Sequence, residues 1–295
     1  MAYKTILAVL DTPKNALQVT DFSISLAEQF QSHVIGLHSE ALATVPLVAP
    51  MEIPDPATVQ ALQDMAHAET LDVEKIFRER AERNGTSYEW RSFVSSAGYG
   101  SAALVDSART CDLVIAAQGD NSILSESRSD LENFLFESGR PVLLVPYILK
   151  EPKPIKRVLI AWNGSREAAR AAFDALPFLK AADSVEVFSV DPPENRSQSA
   201  SMAGAEIAAT LARHGVNITV VRQETDHMPA SAAIENRLSD SSIDLLVMGA
   251  YSHKRWWEML FGGVTRTVLE SMTALTLLSR GQSGREALPW NGNCR

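Results

Sequence analysis

Lys4-Thr-Ile-Leu-Ala-Val-Leu-Asp11 and Lys156-Arg-Val-Leu-Ile-Ala-Trp-Asn163 are two versions of one stretch. Each opens on a lysine, runs through consecutive apolar residues and closes on a carboxylate or its amide. A short apolar run without polar alternation is how a strand buried on both faces reads, and strands of that kind belong to parallel sheets.

Working outward, the same order of patterns follows both stretches. Apolar residues three and four apart predict a helix on Ala16, Val19, Phe22, Leu26 and Phe30, and another on Ala169, Ala172, Phe173, Leu176 and Leu179. Second strands are predicted at Val34 to His38 and Val185 to Ser189, then helices closed by Asn84-Gly85 and His214-Gly215. Third strands run from Tyr88 to Phe93 and from Ile218 to Arg222. Fourth strands follow Asp112 and Asp244, and a Glu-Ser pair (Glu137-Ser138, Glu270-Ser271) precedes each fifth strand. The chain is written twice as β-α-β-α-β-α-β-α-β. Alternation of this kind predicts an α/β fold of two tandem Rossmann-like domains, each a five-stranded parallel sheet with helices on both faces. The expected boundaries are 1–148 and 155–280, joined by the charged, proline-broken Lys150-Glu-Pro-Lys-Pro154, with a flexible tail at 281–295.

The copies differ most between their second and third strands. Asp11 to Asp112 spans 101 positions, whereas Asn163 to Asp244 spans 81. The first half therefore carries an insertion near 41–80, an apolar loop at 41–54 followed by a long helix. Asp55 as cap and Pro56 at the first helical position mark its start, and Val59, Leu62, Ala66, Val73 and Phe77 form its expected buried stripe. The loop carries Val45, Leu47, Val48 and Met51, which suit packing over the domain or an apolar lid or partner surface.

Bulk properties narrow the function classes. With 295 residues and 45% hydrophobic content, the chain is long enough for two cores. Acidic residues outnumber Lys and Arg by 36 to 27, which argues against a nucleic-acid partner. No apolar run reaches the ~18 residues of a membrane span, and the N-terminal apolar run is too short for a signal segment. Cys111 and Cys294 are not spaced for a metal or redox site. A cytoplasmic setting without a membrane partner is expected.

The stretch from Asp244 to Ser271 carries the chemistry. Its strand ends at Gly249, a polar and basic turn follows, and Gly262-Gly263 opens a helical segment. Backbone N–H groups at such a glycine-permitted helix start can converge on an anion. Elsewhere the candidates are weaker. His38 reads as a hydrogen-bonded core histidine, Asp226-His227 lacks a third metal ligand, and Trp256-Trp257 suits packing at a helix or subunit contact.

With the repeat in place, the sequence from Tyr3 to Arg280 resembles a tandem universal stress protein. The resemblance rests on the strand ending in Asp11 or Asn163, the strand ending near Val190, the Asp244 to Gly249 strand and the family's nucleotide signature. That signature is glycine, two residues, glycine, nine residues, glycine, then a hydroxyl residue. Here it reads Gly249, Ser252, Gly262, Gly263, so two of four positions match. The resemblance implies that Asn163 and Val190 meet adenine and ribose, and that Met248, Gly249, Ser252, Gly262, Gly263 and Val264 line the phosphate side. The implied ligand is ATP or another adenine nucleotide. In the first half the corresponding register, Ala117 to Asp130, is acidic and lacks the glycine pair, and Asp120, Glu126, Asp130 and Glu132 would repel a triphosphate.

Catalytic motifs of related folds are absent, namely a Ser-Gly-Gly-x-Asp-Ser loop, a His-x-Gly-His motif, a Walker loop and a nucleophile elbow. No committed catalysis is expected, and no catalytic or metal-binding residue is assigned. Family members commonly pair through the fifth strand, which implies that Val142 to Val145 and Leu275 to Leu278 meet antiparallel as an internal pseudo-dimer. Whole-chain homodimerisation stays open. The alternative function is a nucleotide-free protein-interaction or apolar-ligand-binding scaffold in stress response.

Overall fold

The computed structural model describes residues 2–42, 55–95, 100–118, 135, 137–191, 204–225, 228–250, 269 and 271–280. The first half runs β1 (Thr5–Val9), α1 (Pro13–Phe30), β2 (His33–Ala41), α2 (Pro56–Arg83), β3 (Tyr88–Ser95), α3 (Gly100–Arg109), β4 (Leu113–Ala117) and β5 (Val142–Val145). The second runs β6 (Arg157–Ala161), α4 (Arg166–Asp174), α5 (Leu176–Ala181), β7 (Ser184–Val190), α6 (Ala205–Arg213), β8 (Ile218–Gln223), α7 (Ala230–Asp240), β9 (Leu245–Gly249) and β10 (Leu275–Ser279). The apolar runs are strands because burial on both faces leaves them no solvated side: β4 and β9 are each buried at their first four positions.

The expected antiparallel meeting of Val142 to Val145 with Leu275 to Leu278 is present, and it joins the two expected five-stranded sheets into one. All ten strands form one sheet in the order β3-β2-β1-β4-β5-β10-β9-β6-β7-β8. Every neighbouring pair is parallel except the central one, where Thr276, Leu277 and Leu278 of β10 oppose Leu144, Leu143 and Val142 of β5 in antiparallel register. The physical reason is edge pairing. Each half ends on a buried apolar strand whose free N–H and C=O groups need partners, and each supplies them to the other.

The two halves repeat each other down to single bonds. The Asp112 carboxylate accepts the Lys4 and Thr5 N–H groups at 2.7 and 3.0 Å, and the Asp244 carboxylate accepts those of Lys156 and Arg157 at 2.9 and 2.8 Å. One apolar cluster, on the face that α1, α2, α4, α5 and α6 cover, runs from Tyr3 and Phe77 through to Phe178 and Leu211 without stopping at the seam. The opposite face packs Leu104, Ala108, Ile234 and Leu238 of α3 and α7 over alternate strand residues. Tyr3 ties the halves on the first face: its hydroxyl donates to the Asp174 carbonyl at 2.6 Å, and its ring meets Phe30 and Phe178 with centroids 5.3 and 5.2 Å apart.

Two helix readings change. Between β6 and β7 the single expected helix is two, α4 and α5, with Pro177 in the first turn of the second. Its buried face is Ala168, Ala171, Ala172, Ala175, Phe178 and Leu179, while Phe173 is exposed. Alanine-rich sequence carries little apolar contrast, so the stripe was displaced by one position. In α2 the cap holds, with the Asp55 side chain accepting the Ala57 N–H at 3.2 Å. Its buried residues are Thr70, Val73, Phe77 and Ala81; Leu62 is 39% and Met65 69% exposed. The loop expected at 41–54 lies almost wholly outside the described residues, as do the 281–295 tail, Asp226-His227 and Trp256-Trp257.

Candidate functional site

In the second half β6 leads to β7 on one side, and the chain later returns to place β9 on the other. Strand order reverses between β6 and β9, and ligands of open parallel sheets bind in the crevice beyond the strand ends at such a reversal. Four expected site residues lie at this edge: Asn163 just after β6, Val190 ending β7, and Met248 and Gly249 ending β9. Ser252, Gly262, Gly263 and Val264 lie outside the described residues.

Asn163 is exposed and shapes the turn into α4. Its Oδ1 accepts the Ser165 N–H at 3.1 Å, Gly164 takes φ +72°, and the Ser165 hydroxyl caps α4 by accepting the Ala168 N–H at 3.1 Å. Only a residue without Cβ adopts that φ freely. Strand alternation then sorts the neighbours. Met248 packs with the partly buried Ala161 and Val190 on the α3 and α7 face.

Gly249 faces the other way. A Cβ there would stand 2.5 Å from both the Glu167 carbonyl carbon and the Ala168 nitrogen. Its missing side chain is where the first turn of α4 rests on β9, so helix packing alone requires glycine. Glu167 is buried beside it, with its carboxylate bound to the half-exposed Arg166 guanidinium at 2.5 Å.

Sequence reasoning missed three contributors: Ala161, the Arg166-Glu167 pair and Asp191. Asp191 follows β7 at φ 41°, and its carboxylate accepts the Thr225 N–H at 2.7 Å as well as the Thr225 hydroxyl. These bonds hold its carboxyl below the usual range and tie the end of β7 to that of β8. The available signal was the period of two along β6, β7 and β9, which places Ala161, Val190 and Met248 on one face.

The first half presents a different edge. The pairing of β1 with β4, set against that of β6 with β9, makes Ala117 the counterpart of Gly249 and Gln118 that of Ala250. Gln118 is buried, donates from Nε2 to the Leu269 carbonyl at 2.9 Å and accepts the Tyr147 N–H at 3.2 Å. At the end of β2, Glu40 is buried and accepts from Gln63 at 2.9 Å and His67 at 3.1 Å. Burial pushes its carboxyl up, but the bonds from His67, Thr70 and Gln63 outweigh that and leave it below its ordinary value. His38 is a core residue as expected, with Nδ1 2.6 Å from the Leu10 carbonyl oxygen. Buried Cys111 has its thiol pushed up to about 11, chiefly by desolvation. Among the described residues no group of three His, Cys, Asp or Glu could hold a metal ion, and no helix is long and apolar enough to cross a membrane.

Residues 154–280 match the sequence model of the Universal stress protein family. The match covers the segment that carries β6 to β10. The crevice described above lies within it. No curated protein matches the chain. Among solved structures, a universal stress protein from Archaeoglobus fulgidus DSM 4304 superposes with a TM-score of 0.69 at 14% identity, covering 95% of this chain and 97% of that one. A functionally unknown protein from Pseudomonas aeruginosa PAO1 gives 0.55 at 17% identity, covering 95% and 93%. At these identities the likeness is one of fold, and it extends over both halves.

Proposed function

We propose that the universal stress domain of the second half holds an adenine nucleotide, ATP or a relative of it, as a binding or sensing site without committed catalysis. The supporting observation is the convergence of Asn163, Val190 and Met248 on the crevice where strand order reverses. In this reading Val190 and Asn163 meet base and ribose, and the stretch from Met248 and Gly249 through Ser252, Gly262, Gly263 and Val264 holds phosphates. The first half is a second universal stress domain with a degenerate site, making the chain a tandem member of the family, placed in the cytoplasm. Isothermal titration of the folded chain with ATP, ADP and AMP into the millimolar range is the test. Heat of binding for at least one is expected; its absence for all three removes this reading.

The second reading, a nucleotide-free interaction scaffold, draws on α2. Leu62, Met65 and Leu71 of that helix are exposed, as are the neighbouring Leu42 and Val94. Native mass spectrometry comparing the intact chain with one shortened at 41–54 tests it: a bound partner or apolar ligand present in the first and lost in the second favours the scaffold.

A further inference from the structure

Asn84-Gly85 and Asn163-Gly164 are the two asparagine-glycine pairs among the described residues, and the fold treats them differently. Such a pair is chemically labile. The glycine nitrogen can add to the asparagine amide carbon, because no Cβ on the following residue crowds the approach. Asn163 and Gly164 are both exposed. Gly164 takes φ +72°, and a Cβ there would meet nothing within 4 Å, so the space around this peptide is open.

The Ser165 N–H donates to Asn163 Oδ1 at 3.1 Å and folds the side-chain amide forward over the Gly164 peptide. That is the direction attack needs, and the same N–H meets the negative charge that grows on Oδ1 as the nitrogen adds. Among the described residues nothing accepts the Gly164 N–H or the hydrogens of Asn163 Nδ2, so neither the nucleophile nor the leaving group is tied down. At Asn84 the arrangement is opposite. Its Nδ2 donates backwards to the Arg80 carbonyl at 2.8 Å, across the last turn of α2, and the Gly85 N–H donates to the Glu82 carbonyl at 3.1 Å. Addition there requires both bonds to break first.

We propose that Asn163 is a site of spontaneous deamidation in the folded chain, with water as the co-reactant. The Gly164 nitrogen loses its proton to solvent and bonds to Cγ of Asn163; the Cγ–Nδ2 bond breaks, and the amide nitrogen leaves as ammonia. Water then opens the cyclic imide with no change in oxidation state. Addition at Cγ frees the Gly164 nitrogen from the side chain and leaves aspartate, whereas addition at the main-chain carbonyl carbon leaves isoaspartate. The aspartate product gives the second half the carboxylate that the first half carries as Asp11, and it keeps an oxygen for the Ser165 N–H. The isoaspartate product routes the main chain through Cβ and Cγ, which dissolves the turn that seats Ser165 as the cap of α4. None of this rests on the nucleotide reading.

The test is incubation of the full chain at mildly alkaline pH, folded and, separately, unfolded in guanidinium chloride. Tryptic digestion follows in heavy-oxygen water, which marks any conversion that occurs during digestion. It releases residues 158–166 with Asn163 and residues 84–91 with Asn84, and mass spectrometry reads the conversion of amide to acid in each. Each site's folded rate is divided by its own unfolded rate. The quotient is expected to be at least about tenfold higher for Asn163, since two hydrogen bonds hold Asn84-Gly85 back from addition. Equal quotients, or a higher one for Asn84, overturn the proposal. So does an Asn163 that stays an amide in the folded chain over a period in which the unfolded chain converts.

Discussion

Gly249 carries two explanations, and its surroundings separate them. The resemblance to the universal stress family implies a phosphate-loop glycine here, but the backbone of Glu167 and Ala168 already occupies the space a Cβ would need. The neighbouring atoms are main chain, so they yield only if α4 shifts as a body. Gly249→Ala is expected to destabilise the fold by about 1–3 kcal/mol, through overpacking of a helix against a strand. Urea denaturation measures this, and an unchanged midpoint would refute the packing account. The reverse change in the other half, Ala117→Gly, meets no such contact and is expected to lower stability by no more than about 1 kcal/mol. Conversely, the sequence pointed to Asn163 as an altered carboxylate, but that its Oδ1 accepts the Ser165 N–H at the turn into α4 is a matter of folded geometry.

At the scale of elements, α2 sets the first half apart from the second. Its C-terminal turns pack Val73 and Phe77 onto the sheet, where Gly36 makes room for the Phe77 ring: a Cβ on Gly36 would stand 2.8 Å from it. Its N-terminal turns are held instead by Glu40, through Gln63 and His67. This attachment is acid-sensitive. The folded carboxyl of Glu40 lies below its ordinary value of 4.5, so the stabilisation it gives is complete above that value and is lost as pH falls through the folded one. Glu40→Gln should therefore lower the melting temperature near neutral pH and narrow its gap from wild type as pH falls to about 3. A constant gap across that range would exclude the linkage. The start of α2 was legible because Asp55-Pro56 is a local signal. The exposure of Leu62 was not, because a periodic stripe does not record where the sheet beneath it ends. The displaced stripe of α4 and α5 has the companion cause that alanines mark both faces alike.

Across the whole molecule, the antiparallel pairing of β5 with β10 turns two repeats into one structure. Backbone bonds cross the seam, the Tyr3, Phe30 and Phe178 cluster bridges it on one face, and Gln118 reaches the Leu269 carbonyl. The chain should therefore unfold in one transition. Variants retaining only Trp90 or only Trp162 report on separate halves, and their fluorescence midpoints in urea should coincide with that of far-UV circular dichroism. Leu277→Lys places a charge at a fully buried position of the central pair. It should lower stability by more than about 3 kcal/mol and split the two tryptophan midpoints. Coincident midpoints in that variant would mean that the seam does not carry the coupling. The sequence by itself determined the duplication, the order of strands and helices, and the caps that start and stop them. These are written in local apolar periodicity and turn residues, and they need no knowledge of the rest of the chain. The tertiary structure alone decided that one apolar cluster runs across both halves and that Gly249 serves helix packing. Each of these depends on which groups meet across long stretches of chain, 81 residues for Gly249 and Ala168, and spacing along the sequence does not encode it.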